Sequence, residues 1–340
     1  MVTYIDEFKP ETNLRKRIKA YQRRIAHIQE YLSRLPEEWG RFQSEFNQEV
    51  NGIFRDLMLF EKENVAKGSE DRAYKLKMFF IKHFRELFVK GKCLQKSLNK
   101  PYGYAGDFEI IDDIYQNQPD TVGFDRLYDN YFQMSAICHA VRNRKEDFKR
   151  FALRAMRDNP KKNFKILVLA SGPCRDVYEL LSGPLHDRRD VIFHCFDADP
   201  NSMEYGKTLL GNDMRVTFFK QNAVRLALRK DITKNMEGGY DFIFSTGLFD
   251  YLDEKISVRL IHNLRELLSA RGVVAISDVR DRFSNPSIYF MEWVADWNLV
   301  YRDDDDFRKI FVEAGFSRDE YKIGFEQQGI LQYIYATKRA

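Results

Sequence analysis

The chain has 340 residues, more than one typical core holds, so two packed units are expected. With 44% hydrophobic and 31% charged residues it has the make-up of a folded globular protein, and a formal charge of +4 is too small to call for a nucleic-acid partner, which needs a dense basic face. No apolar run reaches the roughly 18 residues that span a bilayer, and the opening MVTYIDEFKPETN lacks a signal peptide's apolar core, so a cytoplasmic protein with no integral membrane segment is expected.

From Leu14 the residues Leu14, Ile18, Tyr21, Ile25, Ile28, Leu32 and Leu35 recur at alternating steps of four and three, which is a heptad seam ended by Pro36. The opposite face (Arg15, Lys16, Lys19, Arg23, Arg24) reads as solvated. The seam could join two subunits into a homodimer or pack inside one chain, and its short length favours packing within the chain. Helical patterning continues through Phe42, Phe46, Ile53, Leu57 and Phe60, then Leu76, Phe79, Phe80, Phe84 and Leu87. The loop NKPYGYAGDFE, with Pro101, Gly103 and Gly106, interrupts it; this is either a functional loop or a turn in which Asp107 caps the next helix. One or two amphipathic helices and the polar linker RDNPKKN follow. The reading is an all-helical domain over residues 1–135 and a second domain over 136–340.

After Asn163 the rhythm becomes strand, helix, strand. Strands are expected at FKILVLA, DVIFHCFDA, RVTFFKQ, YDFIFST and GVVAISDV, and the tail RDEYKIGFEQQGILQYIYATKR reads as a hairpin at the sheet edge. The expected fold is α/β: a Rossmann-like parallel sheet with helices on both faces, closed by an antiparallel hairpin, next to the helical domain. The cysteines Cys93, Cys138, Cys174 and Cys195 show neither metal-site pairing nor a disulfide framework and read as buried thiols.

Ligands of such a sheet sit beyond the carboxyl ends of its strands. After the first strand comes Ala170-Ser171-Gly172-Pro173-Cys174-Arg175-Asp176. One glycine, and a proline that removes an amide donor, disfavour a pyrophosphate. A ligand without phosphates asks less: Gly172 permits close backbone approach, and Ser171 or Asp176 can meet an ammonium group. Asp197, ending the second strand beside Ala198, can accept from a ribose diol, whereas Asp199 before Pro200 reads as a helix cap. Asn222, followed by Ala223, either reads an adenine edge or caps a helix. Thr246, Gly247 and Leu248 form the floor beside the reactive centre.

VLASGPCRD, FDADP, QNA, YDFIFSTGLFDYLDE and the terminal hairpin, taken in this order, resemble a class I S-adenosylmethionine-dependent methyltransferase over residues 140–340. PYGYAGDFE, AVRNR and GLFDYL are similar to bacterial enzymes of 3-hydroxypalmitic acid methyl ester biosynthesis. The resemblance implies S-adenosyl-L-methionine as cofactor and methylation of a fatty-acid carboxylate to a quorum-sensing ester. The alternatives are an amine, phenol or protein acceptor, or a regulatory module that binds the cofactor without turnover. Arg142 and Arg144 could clamp a carboxylate, either the cofactor's own or the substrate's; two positions apart on one helix, one of the two is expected to face inward and the other to be structural. Tyr104, with Tyr102, could cover the cofactor or donate a hydroxyl to the acceptor, or simply pack. His139 is the base candidate, with a structural role as the alternative. Asp250 would orient substrate or cap a helix; Tyr289, Phe290, Trp293 and Trp297 would wall the acceptor site or join the helical core. Asp303 to Asp306 read as a helix N-terminus rather than a metal site.

Overall fold

Pro10 opens the first helix, α1 (Pro10–Arg34), where its missing N–H costs nothing, and Pro36 follows its end. The computed structural model describes residues 9–211 and 213–339; residues 1–8, part of the stretch read for a leader, lie outside the described residues. One unit holds the chain up to Gly106, Gln116–His139 and Phe283–Asn298, and a second holds Asp107–Tyr115, Ala140–Arg282 and the chain from Leu299.

The helical unit is built from α1, α2 (Gln43–Ala66), α3 (Glu70–His83), α4 (Arg85–Phe88), α5 (Gly91–Asn99) and, after α6 (Phe108–Gln116) of the other unit, α7 (Gly123–Gln133). The α1 seam from Leu14 to Leu32 is buried against α2, α3 and α7 of the same chain, and Leu35 falls outside it, 40% exposed. The seam is therefore packed within one chain, as its short length favours. Its middle residue, Tyr21, stacks on Phe88 at 5.4 Å and shares a hydroxyl–hydroxyl hydrogen bond of 2.8 Å with Tyr128. The Tyr128 hydroxyl also reaches the carbonyl of Leu87, so this buried polar pair is satisfied. Within α2, Gly52 leaves room for the Arg17 guanidinium, which bonds Asp56; a Cβ there would fall on Arg17 Nη2.

Residues 283–298 complete this core. Tyr289, Phe290 and Trp293 are at most 3% exposed, with Phe290 on Phe54 and Trp293 on Phe80, each pair at 5.7 Å. The Tyr289 hydroxyl bonds Glu61. The acceptor wall suggested by the sequence is thus not formed by these rings, which are occupied as core.

In the α/β unit, helix α6 is capped by Asp107, whose Oδ1 accepts from the amides of Glu109 and Ile110 at 3.0 Å. The helix α8 (Ala136–Asp158) carries the division between the units and leads to the sheet. Its strands are β1 (Phe164–Leu169), β2 (Val191–Asp197), β3 (Val216–Lys220), β4 (Tyr240–Ser245), β5 (Leu268–Val279), β6 (Tyr321–Phe325) and β7 (Leu331–Thr337), in the order β3-β2-β1-β4-β5-β7-β6. The first five pair in parallel, and β7 runs antiparallel to both neighbours. Strand β5 starts four residues before the expected glycine because a register shift between Tyr240 and Phe242 lets Leu268 pair with Tyr240.

Alternation along each strand splits the apolar residues between two faces. Ile166, Val168, Phe242 and Phe244 join Phe148 of α8 and Val177 and Leu180 of α9 (Arg175–Ser182) on one face. On the other face Leu167, Leu169, Ile243 and Val274 join a second layer. After α10 (Pro200–Leu210), α11 (Ala223–Leu228) and α12 (Ile232–Asn235), that layer is supplied by α13 (Glu254–Leu267) and α14 (Asp304–Glu313). Each such side chain contributes about 1.5–3 kcal/mol on burial. Asp199 and Asp303 cap α10 and α14. All four cysteines are buried, and among the described residues none is joined in a disulfide.

Candidate functional site

Strand order reverses at β1, which pairs with β2 on one side and β4 on the other, so a crevice is expected at the carboxyl ends of β1 and β4. Ser245 Oγ donates to the Leu169 carbonyl at 3.0 Å and ties these two ends together.

The β1–α9 loop is left-handed at Ala170 (φ 55°), Gly172 (φ 54°) and Cys174 (φ 56°). Two of these are non-glycine residues, each costing about 1–2 kcal/mol relative to ordinary backbone. The loop is held from several sides: the Ser171 amide bonds the Phe196 carbonyl, Ser202 Oγ bonds the Gly172 carbonyl at 2.8 Å, and the Gly172 amide bonds Asp197 Oδ2 at 2.9 Å. A Cβ on Gly172 would meet nothing within 4 Å, so the loop presents bare backbone to open space, while Pro173 is turned inward and buried.

Asp197 joins the two strand ends, since its Oδ1 also accepts from the Asp199 amide at 3.0 Å. Burial raises its pKa, and the Asp199 and Gly172 amides oppose the rise. The Ala198 amide also acts on this carboxylate, and of its four acceptor positions at least one remains for a further donor. Asp176 is buried, accepts from the Val177 amide at 2.8 Å, and is pushed up to about 6 by burial. Ser171 is 6% exposed and its Oγ has no hydrogen-bond partner. Arg175 is structural: it bonds Asp112 of α6, which also accepts from the Tyr205 hydroxyl at 2.5 Å.

The two arginines of AVRNR separate. Arg142 Nη1 reaches the Ile114 carbonyl at 3.3 Å. Arg144 is 7% exposed and lies against Gly247, where a Cβ would come within 2.7 Å of Nη1; Gly247 also has φ 71°. Burial opposes the Arg144 charge, yet Tyr115 and Asp250 hold its pKa above the usual arginine value. Its Nε has no partner. Tyr115, which no local pattern singles out, is pushed up to about 12 by burial.

Asp250 neither caps a helix nor faces solvent. It accepts from the Val279 amide at 2.8 Å, while Asp253 caps α13. Burial raises its pKa, and its carboxyl neighbours that of Asp278, whose pKa is raised by burial and by the charge of Asp250. Asp278 pairs with buried Arg302 at 3.1 Å, and that guanidinium also bonds the Phe249 carbonyl. Thr246 Oγ1 accepts from Ser277 at 2.6 Å. Asn222 caps α11 through the Arg225 amide at 3.0 Å. With Ala198 it lines a cavity of about 480 Å³ that also meets Lys220, Arg225 and Arg229; Ala223, next in the chain, is half-buried. Tyr104, 39% exposed, and His139, exposed at the start of α8, belong to the helical unit.

The sheet order, with five parallel strands and a C-terminal antiparallel hairpin, is that of a Rossmann-like fold. A possible exported protein from Bordetella parapertussis is similar in structure, with a TM-score of 0.58 at 17% identity over 78% of this chain and 96% of that one. A magnesium protoporphyrin IX methyltransferase from Synechocystis, solved with S-adenosylmethionine bound, gives a TM-score of 0.45 at 13% identity over 73% of this chain and 98% of that one. These likenesses concern the course of the chain and not its chemistry. No family model and no curated protein matches the sequence. Among the described residues, no helix is long and apolar enough to cross a membrane.

Proposed function

We propose that the α/β unit binds S-adenosylmethionine and that the protein methylates the carboxylate of a 3-hydroxy fatty acid or similar small acid, forming an ester of the quorum-sensing type. The observation that carries this reading is two buried polar atoms without hydrogen-bond partners among the described residues, Ser171 Oγ and Arg144 Nε, beside the β1 and β4 ends. Buried polar groups are nearly always satisfied, and a ligand with an ammonium and a carboxylate end would satisfy both.

In this reading Asp197 takes the ribose diol with its remaining acceptor capacity, and Asp176 takes the ammonium. Arg144 takes the cofactor's carboxylate, Asn222 and Ala223 border the adenine, and Thr246 and Gly247 floor the site. The chemistry supplied by a bound sulfonium is in-line methyl transfer; the chain's part is to hold both ends in line. A carboxylate acceptor is already ionised near pH 7, so the reading asks no proton transfer of His139.

Calorimetry with S-adenosylmethionine and with NAD tests the cofactor, and stronger binding of NAD would overturn it. Asp197→Ala should weaken S-adenosylmethionine binding at least about tenfold, as loss of hydrogen bonds to a charged acceptor does. A mass gain of one methyl on a 3-hydroxy acid, absent without enzyme, tests the acceptor.

A further inference from the structure

We propose that the helical unit carries a binding site of its own for an anionic amphiphile, a monocarboxylate with an unbranched apolar tail. The unit contains a cavity of about 770 Å³ between α2, the end of α7 and the segment around Ser287. That volume lies in the range of small-molecule sites. Its walls are largely apolar: Phe54 and Phe290, in contact with each other, form buried wall, and Met58 and Met134 supply flexible thioethers that conform to a tail.

Charge selects the head group. Arg55 is the one charged residue lining the cavity, and no carboxylate lines it. Arg55 makes no salt bridge among the described residues, and it acts on neighbouring Asp56 only through its field. Asp56 itself is held by Arg17 at 3.2 Å. The remaining rim is neutral and already arranged, with the Tyr131 hydroxyl donating to Asn51 at 2.8 Å. A guanidinium at the mouth of an apolar cavity favours a carboxylate head, repels a cationic one and gives a neutral one no charge assistance. The site shares its ligand class with the proposed function but none of its residues, which keeps the two separable.

The test is calorimetry of the full chain with decanoate, octanoate, decanol and decyltrimethylammonium. Decanoate should bind at an Arg55-dependent site, and octanoate there about fifteenfold more weakly, since each methylene is worth about fourfold in affinity. Arg55→Gln should lower decanoate affinity about tenfold and leave decanol unchanged. Met134→Asp, at a position 56% exposed and so tolerant of substitution, should weaken both. Equal binding of decyltrimethylammonium, absence of decanoate binding, or parental affinity in both variants would overturn the inference. Asp197→Ala should bind decanoate like the parent. Decanoate binding without S-adenosylmethionine binding would sink only the proposed function, and the converse would sink only this site.

Discussion

Replacing Gly247 with alanine should do two separable things. At φ 71° any L side chain is strained, a cost of about 1–2 kcal/mol. The new Cβ would also lie 2.7 Å from Arg144 Nη1 and 3.1 Å from its Cζ. At 7% exposure the guanidinium has no solvent to retreat into, so the clash adds about 1–3 kcal/mol, as overpacking does. Gly247→Ala should therefore cost about 2–5 kcal/mol in the parent but only about 1–2 kcal/mol in an Arg144→Ala background, a coupling of about 1–3 kcal/mol. Urea unfolding of the four proteins, compared at unchanged m, measures it. Equal costs in the two backgrounds would show that Gly247 is needed only for its backbone angle and that Arg144 does not rest on it.

Asp176 gives a pH dependence with a definite sign. Its folded pKa of about 6 exceeds the ordinary aspartate value of 3.8, so the folded state binds more protons between those values and stability falls as pH rises through the window. Asp176→Asn should match the parent near pH 4 and be more stable by up to about 3 kcal/mol above pH 7; a constant difference would refute the assignment. If the carboxylate meets the cofactor's ammonium, S-adenosylmethionine affinity should also drop about tenfold per pH unit below 6, and a flat titration would count against it. Ala170→Gly should relieve the left-handed strain and, after the extra chain entropy of glycine, stabilise by about 0.5–1 kcal/mol; destabilisation in a thermal melt would contradict this. Arg302→Ala should cost about 3–5 kcal/mol, because it strands buried Asp278 without its partner; a loss below about 1 kcal/mol would mean the pair is dispensable.

The sheet could be read from the sequence because each central strand is an apolar run bounded by turn or charged residues, and the hairpin because a Gln-Gln-Gly turn separates two alternating strands. Caps were equally legible: Asp107, Asp199 and Asp303 each bond the amides that their positions predict. What stayed hidden was tertiary. No glycine marks Ala170 or Cys174 as left-handed, since the surrounding hydrogen bonds impose that conformation. Arg142 and Arg144 point to different sides of one helix, but the sequence does not say which side meets β4. Tyr289, Phe290 and Trp293 have the composition of either a wall or a core, and only the pairing with Phe54 and Phe80 decides. The pairing of Asp250 with Asp278 and the place of Tyr115 beside Arg144 depend on burial that no local pattern encodes.

The stripe on α1 reads in isolation like one half of a zipper, yet its other half is divided among α2, α3 and α7, the last of which begins only at Gly123. A nascent chain therefore keeps one flank of this greasy ribbon uncovered until long after α2 and α3 have folded onto the others. Any fragment that stops short of Gly123 would bare that flank to its neighbours.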